Sequence, residues 1–331
     1  MESPRATSGS RRGRRRARPR RRALLYISLA AVAVVGATAA GTVYVKAHAR
    51  DGGAVPSAAS PAPSSSASAG AEASVEPVTE RAVDRAALLS TAMETVPVPS
   101  GAKVSAAVLD LASGDSAAYG DTAFDTASIV KVDILATLLL QAQDAGRQLT
   151  ATEKAYATKM IGNSDNTSAS ELWEIIGEAA GLDAANKRFG LTETEGGDGE
   201  LWGLTQTTAA DQLALLQQVF GDDSQLSEAA RSYIQDLMKT VESDQRWGVS
   251  AAADGSGFAL KNGWLARSTT GLWDVNSIGR VTADGTGYLV AVLSKGTVSQ
   301  AKGISLVEAA ARAAVGSFAE SSESASAAAP Q

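Results

Sequence analysis

Three clusters of polar residues in this 331-residue chain have the types and spacing that nucleophile–base chemistry needs. Ser128 and Lys131 stand at i and i+3, neighbouring positions on one helix face, so a hydroxyl can meet an amine there. A serine becomes a nucleophile only when a base takes its proton, and a lysine held neutral is such a base. Ser164-Asp165-Asn166 lies in a break between two helical stretches, and Lys261-Asn262-Gly263 ends a short apolar strand. Each cluster also has a plainer reading. Lys131 can reach the surface or pair with Asp133, Asp165 or Asn166 can simply cap a helix, and Lys261 can be a surface lysine before a turn. A second Ser-x-x-Lys, Ser299 to Lys302, reads as the start of a helix.

Composition narrows the chemistry further. The chain has no cysteine and a single histidine, His48, which precedes the folded region. Thiolate nucleophiles, Cys-ligated zinc, a Ser-His-Asp triad and multi-histidine metal sites are therefore excluded. A hydrophobic fraction of 44% and a charged fraction of 20% are those of a protein with a real core.

The elements that must position these residues follow from periodicity. Val104 to Leu111, the turn Ala112-Ser113-Gly114-Asp115 and Ser116 to Tyr119 read as an opening hairpin. Helices are expected over Ile129–Gln143, Thr150–Ile161, Thr167–Ala180, Thr208–Phe220 and Ser227–Val241. Strands return at Phe258–Lys261, Trp273–Val281 and Tyr288–Ser294, before a closing helix from Ser299 to Ala314. Strands at both ends around a helical block predict an α+β fold whose terminal strands share one antiparallel sheet. The helix carrying Lys131 is apolar on nearly every side, which places an ammonium where burial penalises its charge. The positive end of the helix dipole at its N-terminus works in the same direction.

In this order and context the three clusters resemble the penicillin-recognising serine hydrolases, in particular the class A β-lactamases. The resemblance spans the presumed domain and implies an antiparallel sheet packed on helices, with no metal or organic cofactor. It implies Ser128 as the acylated nucleophile and Lys131 as its base or base-orienter. Ser164 would relay a proton to the leaving nitrogen, Asn166 would hold a substrate amide and Lys131, and Lys261 would attract the substrate carboxylate. The oxyanion hole would use the backbone N–H groups of Ser128 and of Trp264, the residue after Gly263. The field of Lys261 is expected to lower the pKa of Lys131.

Three departures from the family pattern stand out. Asn262 replaces a hydroxyl residue, offering an amide donor near the carboxylate instead. The stretch between Ser128 and Ser164 is short. Between Gly190 and Thr205, where class A enzymes carry a Glu-x-x-Leu-Asn motif for deacylation, the sequence has Glu193, Glu195 and Glu200 but no such motif. Glu200 is the candidate substitute, and deacylation is expected to be slow. The implied substrate is a β-lactam or a D-Ala-D-Ala-type amide of a peptidoglycan stem peptide. The alternatives are a D,D-peptidase, or a cell-wall or β-lactam binder without turnover.

Residues 1–22 hold ten arginines and one acid, whereas the net charge of the whole chain is −6. That basic tail runs into 23–45, twenty-three residues without a charge, long enough to span a bilayer as a helix. Arginines on one flank and acidic bulk on the other predict a cytoplasmic tail, a single-pass anchor and an extracytoplasmic domain. The basic tail is thus read as topogenic rather than as a nucleic-acid site. Ala47-His48-Ala49 would alternatively serve as a signal-cleavage site giving a secreted protein, and Arg21-Arg22 as a twin-arginine signal. Residues 46–77 read as a disordered Ala/Ser/Pro linker, 78–318 as the catalytic domain, expected as a monomer, and 319–331 as a disordered tail.

Overall fold

The computed structural model describes residues 83–255 and 257–327, with side chains through residue 319. The expected basic tail, membrane helix and linker over 1–77 lie outside the described residues. Among the described residues no helix is long and apolar enough to cross a membrane.

The chain runs α1 (Arg85–Glu94), β1 (Lys103–Asp110), β2 (Ser116–Tyr119), β3 (Phe124–Asp125), α2 (Val130–Asp144), α3 (Ala151–Gly162), α4 (Asn166–Ile176) and α5 (Glu178–Phe189). It continues with β4 (Gln206–Thr207), α6 (Ala209–Phe220), α7 (Glu228–Lys239), β5 (Phe258–Ala266), β6 (Trp273–Ala283), β7 (Thr286–Thr297) and α8 (Gln300–Ala327). Five strands form an antiparallel sheet in the order β2-β1-β7-β6-β5, so the first and last strands of the domain pair directly, as the α+β reading requires. Ala106 and Val108 of β1 pack with Leu89 of α1 and Leu306 of α8, whereas Ala107 and Leu109 pack toward α2 and α6. Because both faces are covered, β1 alternates only loosely in sequence.

Helix α2 is the centre of the helical block. Twelve of its fifteen residues are buried, and each fully buried Leu or Ile contributes roughly 1.5–3 kcal/mol. α3 begins with a capping box between Thr150 and Glu153, and α4 with Asp165, whose side chain accepts from Ser168 N at 2.7 Å. The capping expected at Asp165 is therefore present.

Several boundaries differ from the sequence reading. The helix expected over Thr167–Ala180 stops at Gly177, whose φ of +92° suits glycine, and α5 follows directly. α1 and α5 are additional elements, and the strands β5 to β7 are longer than read. The closing helix continues to Ala327, through much of the stretch taken as a frayed tail, in keeping with its Ala and Glu content.

α2 also buries Asp133 at 1% exposure. Burial pushes its carboxyl up to about 7; Asn186 lowers it, the nearby Asp183 and Asp211 raise it further, and Thr137 lowers it. A carboxyl whose folded pKa exceeds its unfolded value stabilises the fold at low pH, and that contribution fades as pH rises toward 7. Asp133→Asn is thus expected to stabilise the protein by roughly 1–3 kcal/mol at pH 8 and by less at pH 5. Calorimetric melting at the two pH values checks this, and an equal shift at both would count against it.

Candidate active site

Ser128 sits in a strained turn. Ser128 lies in a short 3-10 turn, Ala127–Ile129, that leads into α2, and Ala127 adopts φ +48°. A non-glycine residue in the left-handed region costs of order 1 kcal/mol and persists only where its surroundings hold it. Those surroundings are specific. Asn276 of β6, fully buried, donates from Nδ2 to the carbonyls of Asp125 at 2.9 Å and Thr126 at 3.0 Å, while its Oδ1 accepts from Ser294 N at 3.0 Å. Thr126 N also donates to Thr205 O at 2.9 Å. Asn276 escaped the sequence reading, although a buried amide amid the apolar residues of a central strand is a signal that could have found it.

Strand β5 runs against this turn at Gly263. A Cβ there would lie 2.7 Å from Ser128 N, 2.8 Å from Ile129 N and 2.8 Å from Thr126 O, so only glycine fits. β5 is the edge strand of the sheet, so alternate N–H groups along it face away from β6. Trp264, the next residue, packs its ring against Trp247 with centroids 5.9 Å apart.

Lys131 is fully buried, and its Nζ donates to Ser164 O at 2.7 Å, Ser164 Oγ at 3.2 Å and Asn166 Oδ1 at 2.7 Å. The alternative pairing with Asp133 is absent from these bonds. Burial lowers the Lys131 pKa to about 7, with Asp165 pulling it the other way. Desolvation, rather than the field of Lys261, is the main cause. Lys261 is also fully buried; its Nζ donates to Ser164 Oγ at 3.0 Å and Asn262 O at 2.8 Å. Its pKa is held well below the usual value, first by burial and then by Lys131.

Ser164 is the hinge of the arrangement. Its φ of +56° is again in the left-handed region, and its Oγ accepts from both lysines. With both lone pairs engaged, the hydroxyl proton is the part left to donate. Asn166 is exposed and keeps its Nδ2 for another partner. Hydrogen bonds therefore join Lys131, Ser164, Asn166 and Lys261, and Gly263, two residues after Lys261, lies against the main chain of Ser128.

The side chains of two expected residues, Asn262 and Glu200, are not among the partners in this network. Asn262 is buried and donates from Nδ2 to the carbonyls of Gln245 at 2.7 Å and Trp247 at 3.0 Å, so both its hydrogens are committed to main chain. Strand alternation turns it from the face it was expected to serve. Glu200 is exposed, as are Glu193, Glu195 and Asp198. The loop is fixed with these carboxylates outward: Asp211 Oδ2 accepts from Glu193 N at 2.8 Å and Thr194 Oγ1 at 2.7 Å, and Asp183 Oδ1 accepts from Gly196 N at 2.8 Å. Trp173 Nε1 donates to Gly199 O at 2.7 Å. What the loop offers the site is Trp202, whose ring centroid is 4.9 Å from Lys131 Nζ. The second Ser-x-x-Lys behaves as read, with Ser299 Oγ accepting from Lys302 N at 3.3 Å at the start of α8.

Among the described residues no three His, Cys, Asp or Glu side chains are grouped to hold a metal ion. The arrangement suits nucleophilic chemistry: a hydroxyl on a strained turn, a buried amine of lowered pKa, and a second hydroxyl poised to donate a proton.

Comparison with known proteins agrees with this geometry. The lipoprotein LppW of Mycobacterium bovis and of Mycobacterium tuberculosis is 29% identical over 173 residues, 50% of this chain and 55% of that protein. The chain thus spans about half the length of the curated relatives it matches. Among solved structures, PBP-A superposes with a TM-score of 0.61 at 20% identity, covering 71% of this chain and 96% of that one. A class A β-lactamase from Bacteroides cellulosilyticus gives 0.61 at 14% identity over 71% and 99% of the two chains. A β-lactamase from Chitinophaga pinensis gives 0.59 at 17% identity over 72% and 100%. These likenesses concern the fold. The family model described as the beta-lactamase enzyme family matches residues 88–318, which take in all three clusters around Ser128, and the chain therefore belongs to that family.

Proposed function

We propose that this protein is an extracytoplasmic acyl-enzyme-forming hydrolase of the class A type, in which Ser128 is acylated by a β-lactam or a D-Ala-D-Ala-like amide. The observation that carries the reading is Ser164 Oγ held between the two buried amines of Lys131 and Lys261, beside the turn of Ser128. Lys131, neutral above pH about 7, takes the Ser128 hydroxyl proton as Oγ bonds to the amide carbon. The carbonyl oxygen gathers charge against the N–H groups of Ser128 and Trp264. The C–N bond then breaks as Ser164 passes its proton to the leaving nitrogen and recovers one from a lysine. Asn166 Nδ2 holds a substrate amide, and a substrate carboxylate pairing with Lys261 restores the ammonium charge that burial disfavours.

The outward carboxylates of the 191–205 loop favour slow deacylation, and with it the penicillin-binding or D,D-peptidase variant of this chemistry. A PBP-A variant with this fold, 21% identical, is described as an acyl-enzyme complex with penicillin G. The lipoprotein name of the curated relatives supports placing the domain outside the cell at a membrane. The uncharged run 23–45 is the proposed anchor, and the domain is proposed to act as a monomer.

Intact mass spectrometry of the protein with penicillin G tests the reading. A covalent adduct is expected that persists over many minutes, disappears in Ser128→Ala and remains in Ser299→Ala. An unmodified wild type, or labelling of Ser128→Ala, would sink it.

A further inference from the structure

We infer that the indole of Trp202 is a water-excluding wall that prolongs the acyl-enzyme. This rests on the reading of Ser128 as the acylated residue. The turn Ala127–Ile129 is enclosed from three directions. Gly263 of β5 closes one, where the oxyanion would lie. Lys131, Ser164 and Lys261 close the second, where the leaving group takes its proton. The third belongs to the short 3-10 turn Trp202–Leu204, where a Cβ on Gly203 would come within 4.0 Å of Ala127 Cα.

Hydrolysis of the ester requires a water whose oxygen bonds to the acyl carbon, whose proton passes to a base, and whose attack releases Ser128 Oγ with a proton. Lys131 is the base nearest this wall, and its Nζ carries the indole against it at 4.9 Å. An indole face neither takes a proton nor holds a water by a strong hydrogen bond. The ring's sole strong donor, Nε1, is used at 3.1 Å by Ser170 Oγ of α4. Trp202 is thus pinned from behind with its inert surface toward the amine. Around it, Glu193, Glu195, Asp198 and Glu200 of the loop are exposed, and none is a hydrogen-bond partner of Lys131 or Ser164.

The test uses the full-length protein. Wild type, Trp202→Ala, Trp202→Phe and Ser170→Ala are acylated with penicillin G and freed of excess drug, and the adduct mass is followed in time alongside the acylation rate. Trp202→Ala is expected to shorten the adduct half-life at least about tenfold, a gain in deacylation that exceeds whatever change the wetting of Lys131 makes in acylation. Trp202→Phe keeps an aromatic wall and the long half-life; Ser170→Ala unpins the ring and shortens it by a smaller factor. An unchanged half-life in Trp202→Ala overturns the inference while leaving the acylation reading intact, as does an equal fall in both rates. If Trp202→Ala does not fold, Ser170→Ala decides by the same criterion. A wild type that never forms the adduct removes the acylation reading itself, and the wall with it.

Discussion

Lys131→Ala is expected to slow acylation by penicillin about 10²–10⁴-fold, because Ser128 then has no positioned base. The amine is more than a lysine three residues along from the serine. It is buried, its pKa is lowered to about 7 by that burial, and three acceptors fix its direction. Since the neutral amine is the active form, the wild-type acylation rate should climb as pH rises through about 7 and level off above it. Lys131→Arg separates charge from basicity, because a guanidinium remains protonated throughout this range. If the charge alone mattered, Lys131→Arg would acylate nearly as fast as wild type. The base assignment requires it to fail and to lose the rise near pH 7. Quenched-flow mass spectrometry between pH 5 and 9 reads all three proteins.

Gly263→Ala should be nearly as damaging without altering any titratable group. The added methyl would meet Ser128 N at 2.7 Å and the neighbouring main chain at 2.8 Å, and backbone cannot swing aside as a long side chain can. Either β5 or the nucleophile turn must shift, at a cost of about 1–3 kcal/mol in stability. Loss of one well-placed oxyanion donor typically costs about 10²–10³ in rate, so acylation should fall by that order. Gly316→Ala in α8 is the matched control, because its added methyl meets nothing within 4 Å. It should acylate normally and gain roughly 0.5–1 kcal/mol of helix stability. A Gly263→Ala protein that acylates at the wild-type rate would show that this close approach is not what sets the oxyanion site.

The residues legible in the sequence were those whose meaning is local. Ser128 and Lys131 share a helix face by spacing, and Asp165 caps α4 whatever else surrounds it. The pairing of the terminal strands could be reached from their order along the chain. Residues that act at long range were not legible. Asn276 reaches Asp125 and Thr126 only because β6 is paired centrally in the sheet. Trp202 meets Lys131 only because Asp183 and Asp211, on two different helices, fix the loop between them. Asn262 looked like a substitute hydroxyl in sequence, yet its direction depends on the carbonyls of Gln245 and Trp247, which lie outside β5. Glu200 has the chemistry of a base, but it stands in a loop whose direction only the folded neighbours determine. The break at Gly177 was masked because the helices on either side are separated by that single residue.

The pairing of β1 with β7, and of α1 with α8 over the same sheet face, brings both ends of the described domain together on the side away from α2. Mechanically, the domain then behaves as an object gripped at one spot. Tension applied through either end loads α1, α8 and the β1–β7 ladder before it reaches the turn that bears Ser128. A splice between these ends, with new termini opened in an exposed turn such as Asp284-Gly285, would leave every neighbour of Ser164 on its original element. The geometry around Ser164 is therefore insulated from load applied at the ends of the described domain.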